Sequence, residues 1–153
     1  MELDDEIASF LQPGPLSVVV CTRDADKRPD VVRGWGPRVL DDRATIEVFV
    51  GRGPAWKLVE NVRDNGAMAL AVCLVTTYQT VQLKGRCVEI GEPEECDFEH
   101  IRSHIDGFVA GIIDVGMSGP AARGAAVADV IKLRFQPESM FDQTPGPEAG
   151  KPR

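Results

Sequence analysis

No apolar run in this chain is long enough to cross a bilayer. The longest, Ala67 to Val75, falls far short of the ~20 residues a spanning helix needs. A basic leader is missing too. Met1-Glu2-Leu3-Asp4-Asp5-Glu6 is acidic, so the expectation is a cytoplasmic protein with no membrane partner. The four cysteines (Cys21, Cys73, Cys87, Cys96) form no C-x-x-C pair, and Cys21, Cys73 and Cys87 fall in strand-like runs, so they read as reduced core thiols. Only two histidines are present, His100 and His104. Their i, i+4 spacing on a helix can hold a metal, but the glutamate and third ligand of a metalloprotease pattern are absent. They read as surface or satisfied side chains, and no metal site is expected. G-x-S-x-G and the P-loop are absent, and Gly34-Trp35-Gly36 and Gly51-Arg52-Gly53 do not extend to G-x-G-x-x-G. Hydrolase, nucleotide-triphosphatase and dinucleotide readings therefore lack support. A net charge of −7 argues against general nucleic-acid binding, which needs a basic face.

Against this acidic background the middle of the chain is basic. From Lys27 to Arg63 eight basic residues meet five acidic ones, about +3, while the rest carries about −10. The same window holds Gly34-Trp35-Gly36, Gly51-Arg52-Gly53-Pro54 and Trp56-Lys57. Cations beside glycines and tryptophans suit a small ligand that is both anionic and aromatic, and a phosphorylated flavin is one such molecule.

The 153 residues suit one domain. Residues 1–12 contain a short amphipathic helix with Ile7, Phe10 and Leu11 on one side, stopped by Pro13-Gly14-Pro15. Strands are expected at Leu16–Thr22, Asp30–Leu40, Thr45–Val50, Ala67–Val75, Tyr78–Ile90 and Val127–Phe135. In the fourth, Met68, Leu70, Val72 and Leu74 alternate with Ala67, Ala69, Ala71 and Cys73. The large face should fill a barrel and the small face should admit a helix or a second subunit. Glycine and proline at Gly34-Trp35-Gly36-Pro37 predict a bulge, and Gly85 predicts a bend. Helices are expected at Ala55–Asp64, with Pro54 at its start, and after Pro93, with the stripe Phe98, Ile101, Ile105 and Phe108. Residues 114–124 read as a loop, and 137–153 as a Gly/Pro-rich tail in which Gln143 to Gly150 cannot be regular structure. The sum is a mainly β (α+β) chain: a six-stranded antiparallel Greek-key split β-barrel with a few flanking helices.

Lys57 at a helix start, with Arg33 and Arg52, makes a phosphate cradle, because a helix N-terminus offers free N–H groups and positive potential. Trp35 can edge a planar ring. Trp56 reads as a packing residue or a ligand contact. Gln79 and Thr80 offer an amide and a hydroxyl to a flavin's pyrimidine edge.

The order of Leu16–Thr22, Arg28-Pro29-Asp30-Val31-Val32-Arg33-Gly34-Trp35, Ile46–Gly51, Lys57-Leu58-Val59-Glu60-Asn61-Val62 and Val81-Gln82-Leu83-Lys84-Gly85-Arg86 resembles the pyridoxamine 5'-phosphate oxidase-like family of flavin-binding split barrels. The resemblance spans about Pro13 to Glu92 and the last strand. It implies a homodimer holding FMN in two clefts at the interface, with a small-molecule substrate. It implies that Arg33, Gly34 and Trp35 flank the ribityl-phosphate and ring, and that Phe49, Val50 and Gly51 meet the ring through backbone groups. Lys57 would ligate the phosphate, and Gln79 and Thr80 would reach the flavin from the long strand. The chain departs from the family's true oxidases in its tail, Gln143-Thr144-Pro145-Gly146-Pro147, which lacks their basic and aromatic residues. It also has Pro54-Ala55 where a serine often precedes the helix-start lysine. The expected function is an FMN-dependent oxidoreductase of unspecified substrate. The alternatives are a deazaflavin-dependent reductase using the same cleft, or a non-catalytic barrel that binds haem or a small anion.

Overall fold

The computed structural model describes residues 1–12, 14–117 and 129–153. Six strands, β1 (Leu16–Arg23), β2 (Pro29–Val39), β3 (Ile46–Gly51), β4 (Ala67–Leu74), β5 (Thr80–Gly91) and β6 (Val130–Asp142), close into one antiparallel barrel in the order β1-β2-β3-β6-β5-β4. Three consecutive strands are followed by a fourth that returns to lie beside the first, which is the Greek-key order. That return passes through helix α2 (Trp56–Asn65); α1 (Asp5–Phe10) precedes the barrel, and α3 (Glu95–Asp114) joins β5 to β6.

Strand alternation fills the interior. Val18 and Val20 of β1, Ile46, Val48 and Val50 of β3, Leu70 and Val72 of β4, Leu83 of β5, and Leu133 and Phe135 of β6 are buried together. Ile7 and Leu11 of α1 and Leu58 of α2 join this core. Asp4 caps α1, its carboxylate accepting from the Ile7 N–H. The small face of β4 stays half-exposed at Ala67, Ala69, Ala71 and Cys73.

Both glycine expectations in the strands are met. The β2–β3 register shifts between Trp35 and Arg38, and Gly36 sits at φ +53, where a Cβ would also lie 2.9 Å from the His100 ring. The bulge resets the alternation: Gly34 faces inward before it and Val39 packs on the core after it. At Gly85, a Cβ would fall 2.1 Å from the Gln136 carbonyl oxygen, and the β5–β6 register shifts there.

The C-terminus departs from expectation. β6 runs through Pro137 to Asp142, so the stretch read as tail begins as strand. Pro137 is tolerated because it lies opposite Gly85 at the register shift. Beyond it, 143–150 are irregular, as expected, and Pro152 bridges back to Phe141. The other bounds move by one or two residues; residues 118–124 of the expected loop and the expected strand start at Val127 lie outside the described residues. No helix among the described residues is long and apolar enough to cross a membrane. All four cysteines are free, but Cys96 is exposed on α3 rather than in the core.

Candidate functional site

Helix α3 lies across the outer face of β1 and β2, and its two halves meet that face differently. At its N-terminal end, Asp97 completes a capping box with Glu94. The Asp97 carboxylate also accepts from Arg38 of β2 at 2.5 Å and from Lys132 of β6 at 3.3 Å. Glu47 of β3 accepts from Arg38 at 2.6 Å and from Arg134 of β6 at 2.9 Å. Burial works to raise the pKa of both carboxyls, but the hydrogen bonds outweigh it and hold both below the usual carboxylate range. For Glu47 these bonds come from Arg38 and Arg134; for Asp97 they come from the Glu94 N–H, Arg38 and Lys132. Glu47 and Asp97 are buried, yet no oxygen of either lacks a partner.

The C-terminal half of α3 covers an aromatic cluster instead. Trp35 points outward from β2 and is 3% exposed, with His104 and Phe108 each edge-on to it at 6.0 Å. Arg33 lies over this cluster, 5.1 Å from the Phe108 ring and 5.7 Å from the Trp35 ring, and donates to Ser17 Oγ at 3.2 Å. Beside it opens a cleft of about 470 Å³ lined by Ser17, Arg33, Trp35, Cys73, Val75, Tyr78, Phe108, Ile112, Val115 and Met117. His104 corrects the sequence reading. It is 1% exposed, and neither ring nitrogen has a hydrogen-bond partner among the described residues, so it is not a surface histidine and is not satisfied by them. Burial first, then the fields of His100 and Arg33, push its pKa down to about 4. His100 is half-buried, its Nε2 3.1 Å from the Gly36 oxygen.

The remaining expected residues lie elsewhere. Arg52, at the end of β3, is held by Glu92 at 2.5 Å and Asp129 at 2.9 Å. It lines a second cleft of about 410 Å³ with Trp56, Val59, Glu60, Arg63, Ile90, Gly91, Glu92 and Ile131. Trp56 is 63% exposed there, so it is not the packing residue its position suggested. Lys57 is half-buried in the first turn of α2 and makes no ion pair among the described residues. Ala55 caps that helix without a side-chain hydrogen bond, which leaves first-turn N–H groups open. Arg33 and Arg52 thus line different clefts and do not form one cradle within a protomer.

Gly34 turns its α-carbon into the barrel, where a Cβ would meet Val18 at 2.9 Å, so tight barrel packing accounts for the glycine. Phe49 and Val50 are fully buried, and their backbones pair with β2 on one side and β6 on the other, as does that of Gly51 with β6. Gln79 is exposed. Thr80 is engaged by the C-terminal segment: its N–H donates to Thr144 Oγ1 at 3.1 Å and its carbonyl accepts from the Gln143 N–H. The sequence reading missed Ser17, Tyr78, Ile112 and Met117 as cleft residues. Phe108 was visible only as part of an apolar helix stripe, and Ser17 only as a polar residue in an apolar strand.

No protein-family model matches the chain, and no curated protein matches it. Solved structures do. A protein assigned as a pyridoxamine 5'-phosphate oxidase from Lactobacillus delbrueckii is 16% identical over 92% of this chain and 93% of that one, with a TM-score of 0.56. The fold is that of the pyridoxamine 5'-phosphate oxidase-like split barrels. An F420 reductase matches at 18% identity over 85% of this chain and 92% of its own, TM-score 0.55. An FMN-binding protein from Syntrophomonas wolfei matches at 13% identity over 88% and 82%, TM-score 0.52. At such identities the split-barrel fold is what these proteins share with this chain.

Proposed function

We propose that this split barrel is a homodimeric FMN-binding protein acting as a flavin-dependent oxidoreductase on a small molecule. The observation that carries the reading is the start of α2. A helix N-terminus without a side-chain cap, with Lys57 beside it making no ion pair among the described residues and Arg52 one turn earlier, suits a phosphate. Arg52 would exchange two exposed carboxylates, Glu92 and Asp129, for the phosphate; surface pairs of this kind contribute little to stability. Trp56 offers its exposed indole to the ring. The bound flavin would supply the redox chemistry, and the protein would bind, orient and shield it.

The antiparallel order explains why a second copy is needed. β3 and β5 run the same way around the barrel, so the end of β3, which leads into α2, and the start of β5 lie at opposite ends. Lys57 and Gln79 can therefore share a ligand only if Gln79 comes from a partner. The half-exposed small face of β4 allows the close approach such a pairing requires. Arg33 and Trp35 line the other cleft.

Titration with FMN, followed by flavin absorbance and fluorescence, tests the reading. Wild type should bind FMN, and Lys57→Ala should weaken it about tenfold while riboflavin, which lacks the phosphate, is bound equally by both. Equal FMN affinity in the two proteins, or no binding at all, would overturn it. A co-purifying deazaflavin would declare itself by its fluorescence after extraction.

A further inference from the structure

We infer that the cleft between β1, β2 and α3 is a separate binding site for a planar, apolar molecule carrying a single carboxylate. The inference does not depend on the flavin reading. The lining is Trp35, Phe108, Ile112, Val75, Met117 and other largely apolar side chains, and Arg33 is its one charged member among the described residues. Its volume of about 470 Å³ lies within the range of small-molecule sites.

Arg33 differs from the arginines that carboxylates tie down around the barrel. Arg23 and Arg86 also lack such a pair among the described residues, but each donates to a backbone oxygen and neither rests over an aromatic ring there. Arg38 holds Glu47 and Asp97, Arg52 holds Glu92 and Asp129, and Arg134 holds Glu47 and Glu89. Arg33 has no carboxylate partner among the described residues. Its guanidinium rests over two aromatic rings, and its one hydrogen bond goes to the Ser17 hydroxyl. That placement fixes the planar fork at the edge of an apolar hollow, with donors left over for a bidentate anion. A phosphate dianion would call for further cations or a helix N-terminus, and the described residues of the lining contain neither. One carboxylate matches one guanidinium, and the aromatic walls match a flat apolar body.

The experiment is calorimetric titration of the full chain with 2-naphthoate, and with 2-naphthylmethanol, which keeps the rings and removes the charge. Naphthoate should bind saturably and about tenfold more tightly than the alcohol. Arg33→Gln should erase that preference while leaving alcohol binding in place, and exposed Met117→Asp at the rim should weaken naphthoate more than the alcohol. Inorganic phosphate and FMN should not displace naphthoate. No saturable binding, equal affinity for acid and alcohol in wild type, or displacement by phosphate or FMN would each overturn the proposal. The wild-type comparison decides even if a variant fails to fold. A protein that binds naphthoate but not FMN would keep this site and lose the flavin reading.

Discussion

The two halves of α3 sit on the same barrel by opposite physics. The N-terminal half is fastened by charge: Asp97 and Glu47 gather Arg38 from β2 and Lys132 and Arg134 from β6, and every oxygen is engaged. The C-terminal half is fastened by aromatic contact, with an arginine at its edge that has no carboxylate partner, and an imidazole that has no hydrogen-bond partner, among the described residues. A saturated cluster has no valence left for a ligand, so its role is to place the helix. The second region retains unspent polar groups beside an open cleft, where the proposed carboxylate ligand would bind.

The largest effect should come from breaking the charged half. Glu47→Ala leaves Arg38 with Asp97 alone, and nearly buried Lys132 with Asp97 and the exposed Glu94, and should cost about 3 kcal/mol in urea unfolding, toward the lower end for a broken buried pair because Arg38 is about a third exposed. A loss under about 1 kcal/mol would mean that the cluster is not holding α3.

The pH dependence should separate the halves. Glu47 and Asp97 are held low in the folded protein, so their contribution is whole above their ordinary values of 4.5 and 3.8 and is lost as pH falls through the folded ones. His104 acts in a higher window. Between its ordinary 6.5 and its folded value of about 4 the unfolded chain takes up a proton that the folded chain refuses, so stability drops as pH is lowered through that window. His104→Leu should remove much of that decline, and at pH 7 should raise stability by about 1 kcal/mol, because a buried imidazole without partners is replaced by an apolar side chain. A destabilised variant would show instead that its ring nitrogens are satisfied in solution.

The smallest effect should be at Arg33. Arg33→Gln leaves no buried charge behind and should change stability by about 1 kcal/mol or less, most of it lost stacking on Trp35 and Phe108. A large loss would place Arg33 with the fastening groups and would dissolve the contrast between the halves.

Strands were legible because their information is local. The large–small alternation from Ala67 to Val75 predicts an inward face without knowledge of its neighbours, and glycine beside proline marks the β2 bulge wherever the chain goes. The strand beyond Pro137 was not legible, because the proline is acceptable only opposite Gly85, about fifty residues away in sequence. The ion cluster was hidden for the same reason. Its members come from β2, β3, α3 and β6, and in sequence each reads as a solvated charge.

By itself, the order of residues determined the element types, the barrel's inward faces and the list of cations from which any anion site must draw. Only the tertiary structure decided which cations remain free. Closing the barrel and laying α3 across it consumed Arg38, Lys132 and Arg134 in carboxylate pairs, turned Arg33 toward Phe108, and left Arg52 and Lys57 at another face. The physical reason is reach. Side-chain alternation acts over two residues, whereas the pairing of charges depends on elements that only the completed fold brings within hydrogen-bonding distance.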